Sequence, residues 1–238
     1  MKAMIFAAGL GTRLKPFTEN HPKALALVNG KSLLERNIEY LKKYGFREFV
    51  LNVHHFPEQI ISLLQAHDNF GCTIHISDET DFLLETGGGL KKASSWLKGN
   101  EPFLVMNVDM LTNLNISKMV DFHRSNKSLA TLAVTKRETS RYFLFNVKNK
   151  LCGWKNVKTG EEKIIRNESG LIRKAFSGIH IIEPAIFDLI KREGKFSMVD
   201  VYLDLCAQNI ISAYDHSNDI LIDVGKPESI TEAETLFL

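Results

Sequence analysis

The chain has 238 residues, 44% of them hydrophobic, and a formal net charge of +2 at pH 7, so it carries enough apolar material for a sizeable core. Its lysines and arginines are scattered, which leaves no footprint for nucleic acid or an anionic membrane, and no apolar run reaches the roughly 18 residues of a membrane span. Cys72, Cys152 and Cys206 are far apart and outside any metal spacing, and the opening apolar run is too short for a cleavable leader, so the expectation is a cytoplasmic enzyme with reduced thiols.

Short apolar runs alternate with helical patterns through the first half. Strands are expected at Lys2–Ala7, Phe49–Val53, Thr73–Ser77, Phe103–Asn107 and Leu129–Val134. Ser32–Tyr44 reads as a helix with Leu33, Leu34, Ile38 and Leu41 on one face, Ser32 as N-cap and Gly45 closing it. Pro57–Ala66, Thr86–Leu97 and Asn115–Arg124 are further helices, the first opening on proline and the last on a capping residue. After residue 135 the rhythm changes. Arg141–Lys163 has the look of β-hairpin material with turns at Asn149-Lys150 and Thr159-Gly160. A strand at Lys174–Ile182, helices at Pro184–Lys191 and Met198–Gln208, and strands at Ile210–His216 and Ile220–Val224 complete the chain. The pattern predicts one α/β domain over 1–238: a Rossmann-like, mostly parallel sheet flanked by helices, with a change of character near residue 135 and a β-rich insertion in the second half that forms the far wall of a site.

The first strand breaks at once into Ala8-Gly9-Leu10-Gly11-Thr12-Arg13-Leu14-Lys15-Pro16-Phe17-Thr18, followed by Pro22-Lys23. Glycines there let backbone N–H groups approach phosphate oxygens, while Arg13 adds a fork of donors and Lys23 a mobile charge. The lysine of a Walker loop is missing, and Leu14 stands at the third glycine of a dinucleotide fingerprint. Two apolar runs end in carboxylates, Leu104–Asp109 and Leu221–Asp223, which would meet at one sheet edge. Such a pair suits Mg²⁺, whose octahedron is completed by phosphate oxygens and water. Glu85-Thr86-Gly87-Gly88-Gly89 opens a helix, with free N–H groups and room for a flat base. Gly178, inside the Ala175–His180 strand, marks a bulge or a close backbone approach.

The string A-A-G-x-G-T-R-L-x-P-x-T followed by P-K resembles the signature of the sugar-1-phosphate nucleotidylyltransferases. That resemblance implies transfer of a nucleotidyl group from a nucleoside triphosphate to a sugar 1-phosphate, with release of pyrophosphate. It implies Arg13 and Lys23 as catalytic residues and Asp109 and Asp223 as Mg²⁺ ligands, with a nucleotide-binding half over 1–135 and a sugar-binding half over 136–238 whose β-rich insertion forms the sugar side of the site. Nucleotide-binding positions are implied at Ala7, Ala8, Gly9, Gly11, Thr12, Glu85, Thr86, Gly87 and Asn107. The L-E-T-G-G-G loop is similar to that of the members that uridylylate N-acetylmuramic acid 1-phosphate, so UTP and that sugar are the expected pair; the alternative is mannose-1-phosphate guanylyl transfer or another nucleotidyl transfer to a sugar or alcohol phosphate. Val108 stands where the family commonly has glycine. Glu162-Lys163-Ile164 lacks the proline of the family's Glu-Lys-Pro element, which leaves Lys163 outside the site.

Two other classes fit less well. A non-catalytic nucleotide-sugar sensor would be expected to lack one of Arg13, Lys23 or the carboxylates. A nicotinamide oxidoreductase would need an acidic residue at the end of the second strand, where Asn52 stands. His54-His55 lacks a third ligand and reads as a strand-end turn, and Lys42-Lys43 and Lys91-Lys92 as solvated helix faces. Oligomeric state is left open.

Overall fold

The computed structural model describes residues 1–237. The first half contains β1 (Ala3–Phe6), β2 (Leu27–Val28), β3 (Lys31–Ser32), α1 (Leu33–Lys43), β4 (Glu48–Val53), α2 (Pro57–Ala66) and β5 (Thr73–Asp78). It continues through α3 (Glu85–Lys92), α4 (Ser94–Leu97), β6 (Phe103–Asn107), β7 (Met110–Thr112), α5 (Ile116–Asn126) and β8 (Ala130–Thr135). The second half adds β9 (Arg141–Phe145), β10 (Leu151–Asn156), β11 (Glu162–Ile164) and β12 (Ile172–Ile182). It closes with α6 (Ile186–Leu189), α7 (Met198–Leu205), β13 (Ile211–Asp215), β14 (Leu221–Asp223) and α8 (Pro227–Leu236).

Local chemistry explains most boundaries. Ser32 accepts the Glu35 N–H at 3.1 Å to start α1, and Gly45, at φ 86°, supplies the left-handed residue that ends it. Asn115 accepts the Lys118 N–H at 3.1 Å to start α5. Ser197 and Asp200 form a reciprocal capping box on α7. The stretch expected to be one helix over Thr86–Leu97 is divided between α3 and α4, and the helix expected at Pro184–Lys191 is confined to Ile186–Leu189.

The central sheet runs β11-β10-β9-β12-β6-β1-β4-β5, with β8 pairing β12 and β13 pairing β8. β1 lies parallel to both β4 and β6, and β4 parallel to β5. Alternation along β1 divides the core: Ala3 and Ile5 face α1, α2 and α5, whereas Met4 and Phe6 face the layer of α3, α6 and α7. The chain crosses from β1 to β4 and β5 on one side, then returns to β6 on the other. The crevice outside the carboxyl ends of β1 and β6 is therefore the switch point where an open α/β sheet takes its ligand.

β12 supplies the mixed character. Its last residues run antiparallel to β6, and it continues past the carboxyl end of β6 to pair Ile172–Lys174 with β9. Asp223 in β14 pairs with Met110 in β7, and the Val224 N–H donates to the Asp109 carbonyl at 2.9 Å. Among the described residues no helix is long and apolar enough to cross a membrane, and the three cysteines are free thiols.

Candidate active site

A cavity of about 430 Å³ opens at that switch point, within the usual size range for a small-molecule site. Its floor is the turn after β1. Gly11 has φ 62°, and a Cβ there would lie 2.8 Å from Thr18 Cγ2 and 3.0 Å from Lys23 Cβ. The Gly11 carbonyl faces back into the turn, accepting the Leu14 N–H at 2.8 Å and the Thr18 hydroxyl at 2.9 Å. The N–H groups of Gly9 to Thr12 find no acceptor among the described residues. Gly9 has open space where a Cβ would stand. This is the geometry of an anion nest.

Each carboxylate at the sheet edge has a cation beside it. Lys23, largely buried, donates to Asp109 Oδ2. Arg13 Nη2 lies 3.6 Å from Asp223 Oδ2. Pairing of β7 with β14 brings Asp109 and Asp223 together from distant parts of the chain. Gly225 admits the guanidinium: a Cβ would stand 2.6 Å from both Arg13 Nη2 and Asp223 Oδ1.

Magnesium fits these residues. Asp223 Oδ1 is buried and receives no hydrogen bond from the described residues, an arrangement that leaves one lone-pair set to another electrophile. No third acidic, histidine or cysteine side chain joins the pair among the described residues, so water and phosphate oxygens would have to complete the ion's shell.

The expected nucleotide positions divide. Ala8, Gly9, Gly11, Thr12, Glu85, Thr86 and Asn107 line the cavity together with Arg13, Lys23 and Asp109. Ala7, Gly87 and Asp223 do not. Ala7 lies behind the wall with its N–H donated to Asn52 Oδ1 at 2.8 Å. The expectation of free N–H groups along the triple glycine is corrected. Gly87 and Gly88 donate to the Phe196 carbonyl at 2.9 and 3.2 Å, and the Thr86 hydroxyl accepts the Met198 N–H at 2.9 Å. A Cβ on Gly87 would stand 2.5 Å from the Phe196 ring, and one on Gly88 2.3 Å from the Gly194 carbonyl. These two glycines let α3 dock on the segment leading into α7. Glu85, with φ 61°, holds a backbone conformation that favours glycine and lies 3.7 Å from Lys195.

Among the described residues, none from β9, β10 or β11 lines this cavity. The nearest contribution from β12 is Gly178, at φ 71° beside a register shift, where a Cβ would lie 2.6 Å from Asn107 Nδ2. The β9–β11 leaf joins β12 further out, at Ile172–Lys174. Lys163 pairs with Glu161 at 3.4 Å, away from the cavity. His54 and His55 bond the carbonyls of Glu79 and Thr18 at 2.7 and 3.3 Å. Lys91 is engaged rather than solvated, reaching Glu193 at 2.6 Å. Sequence reasoning missed Phe6, Asn52, Leu83, Val108 and Gly225 as lining residues. Asn52 was findable from its place at the carboxyl end of the strand adjoining β1.

The family model "Nucleotidyl transferase" matches residues 2–238. A mannose-1-phosphate guanyltransferase of Yarrowia lipolytica is 30% identical over 241 residues, covering all of this chain and 64% of its own length. The chain thus spans just under two thirds of that relative. A putative glucose-1-phosphate thymidylyltransferase from Bacillus anthracis superposes with a TM-score of 0.82 at 18% identity, covering 99% of this chain and 94% of its own. HddC from Yersinia pseudotuberculosis complexed with GMP-PN superposes with a TM-score of 0.77 at 23% identity, covering 100% and 99%. At these identities the two superpositions speak for the fold alone.

Proposed function

On the premise that the chain belongs to the nucleotidyl transferase family, we propose that its cavity takes a nucleoside triphosphate and a sugar 1-phosphate and joins them with release of pyrophosphate. The observation that carries this reading is the pairing, beneath one glycine turn, of Asp109 with Lys23 and of Asp223 with Arg13. Cations and carboxylates are thereby gathered where two phosphate groups would have to meet.

A phosphate monoester is largely dianionic at pH 7, its second pKa being about 6, so the attacking sugar phosphate needs no general base. What the reaction needs is alignment and charge neutralisation. The N–H groups of Gly9 to Thr12 would cradle the triphosphate. Arg13 has a side chain 57% exposed and a long contact to Asp223, a screened pair that exchanges readily for a phosphate; it suits the departing pyrophosphate. Lys23, held at Asp109 with its side chain 10% exposed, suits the α-phosphate or the incoming sugar phosphate. Asp109 and Asp223 would hold magnesium, which when bound would supply Lewis-acid charge neutralisation.

For the substrate pair, GTP with mannose 1-phosphate is the reading that the relatives favour, through the name of the 30% identical protein. A second reading, UTP with N-acetylmuramic acid 1-phosphate, is favoured by the Leu84–Gly89 loop, where Glu85 occupies a position at φ 61°. Pyrophosphate release measured over both triphosphates and both sugar phosphates separates them. GTP with mannose 1-phosphate should lead in kcat/KM by at least about tenfold, because a wrong base leaves buried donors unpaired. If UTP with the muramate sugar leads, the uridylyl reading replaces it. If no pair releases pyrophosphate, the reaction class falls.

A further inference from the structure

Between the glycine turn on the floor of the cavity and the Leu83–Thr86 loop runs a buried chain of hydrogen bonds. Asn52, at the end of β4, accepts the Ala7 N–H on Oδ1 at 2.8 Å and donates from Nδ2 to Glu79 Oε1 at 2.8 Å. Glu79, just past β5, accepts the Leu84 N–H on Oε2 at 3.0 Å. Asn52 and Glu79 are 3% and 1% exposed. Space for the pair is left by Gly89, whose Cβ would stand 2.6 Å from Glu79 Oε1 and 3.1 Å from Asn52 Nδ2. Ala7 begins the glycine turn, and Leu84 immediately precedes Glu85 with its left-handed backbone. The chain of bonds therefore ties the two loops that face each other across the cavity.

We propose that Asn52 and Glu79 are positioning residues that set the span between the glycine turn and the Leu83–Thr86 loop, and so govern nucleotide binding without acting on the reacting atoms. This rests on reading the cavity as a nucleoside triphosphate site. The direction of the bonds is fixed by chemistry. Two backbone donors, Ala7 and Leu84, stand at the ends, so the middle must offer one acceptor to each and one donor–acceptor contact between. An amide at 52 and a carboxylate at 79 satisfy that requirement. A buried carboxylate that accepts bonds from both neighbours is costly to leave half-satisfied, which makes the chain of bonds stiff.

Exchanging amide and carboxylate between the two positions tests the relay. In Glu79→Gln a single amide oxygen must serve two donors, so either Asn52 Nδ2 or the Leu84 N–H faces another N–H. In Asn52→Asp two carboxylates face each other. In the double variant, Asn52→Asp with Glu79→Gln, the carboxylate introduced at position 52 accepts from both the Ala7 N–H and the amide introduced at position 79. The oxygen of that amide accepts from the Leu84 N–H. The relay is remade with its net charge unchanged.

Equilibrium binding of GTP and UTP by calorimetry is to be measured for all four proteins with kcat and KM, well below each one's thermal midpoint. Each single variant should weaken nucleotide binding and raise its KM about tenfold or more, with kcat at saturation within about threefold. The double variant should bind more tightly than either single. Additive losses in the double, or unchanged nucleotide binding in the singles, would overturn the proposal. Should a single variant fail to fold, the double carries the test: nucleotide binding within about tenfold of wild type supports the relay, and its loss refutes it. A wild-type protein that binds neither triphosphate would instead refute the nucleotide reading, and the relay's role with it.

Discussion

Asp109 stands in the turn between β6 and β7 and Asp223 at the end of β14, and each is met by one cation from the segment that follows β1. If the two carboxylates hold magnesium as proposed, removing one takes away neutralisation that two approaching phosphates would need. Asp109→Asn and Asp223→Asn should each lose at least about a hundredfold in kcat, Asp109→Asn also melting lower because it leaves the buried Lys23 without its counter-charge; near-normal turnover in both would reject the pair. Arg13 is a sharper case because its side chain is half-exposed and its carboxylate contact long. If it stabilises the leaving pyrophosphate, Arg13→Ala should depress kcat more than it raises KM, and Arg13→Lys should restore it only partly, since a point charge cannot replace a planar fork. Gly9 separates function from stability. Nothing lies within 4 Å of its missing Cβ, so Gly9→Ala should leave the thermal midpoint unchanged. It should nonetheless weaken triphosphate binding about tenfold or more, because the methyl group would occupy the approach that the N–H groups need. Unaltered binding would show that the nest lies elsewhere.

Elements were legible in the sequence wherever a local rule and an apolar period agreed. α1 was readable because Ser32 caps it, Gly45 ends it and its four apolar residues share one face. The β1 turn was readable because strand-length apolar residues run directly into glycine. α8 was not legible: Ala233 is its one buried residue, so its apolar stripe is too thin to register. β2, β3 and β7 span only two or three residues, and strands that short are defined by their partners rather than by their own pattern. The triple glycine misleads for a related reason. A run of glycines signals close approach without saying to what, and here Gly87 and Gly88 approach Phe196 and Gly194 rather than a ligand. Gly88→Ala tests this. Alanine favours a helix by about 1 kcal/mol over glycine, yet the methyl would fall 2.3 Å from the Gly194 carbonyl, and overpacking costs about 1–3 kcal/mol. The variant should melt lower than wild type; a higher midpoint would mean that the α3–α7 contact gives way easily.

At the scale of the whole molecule, burial of histidine makes the fold sensitive to acid. His180 is pushed down to about 3 by burial, and burial likewise lowers His123 and His216. The unfolded chain takes up these protons near pH 6.5 whereas the folded one does not, so stability is full above about pH 6.5 and declines as pH falls toward the folded values. The thermal midpoint should drop between about pH 6.5 and about pH 4. His180→Gln should make that decline shallower by up to about 1.4 kcal/mol per pH unit, one proton's worth, and an unchanged slope would place the acid sensitivity elsewhere. The same global arrangement places the cavity where the strand order reverses, which ties the fold to the proposed chemistry. That chemistry is read most directly by phosphorus NMR of the wild-type protein with magnesium, a nucleoside triphosphate and a sugar 1-phosphate. The account predicts that pyrophosphate and the coupled signals of a nucleotide sugar grow together in equal amounts, and that neither grows with Asp109→Asn. Appearance of inorganic phosphate or nucleoside monophosphate without a nucleotide sugar would contradict it.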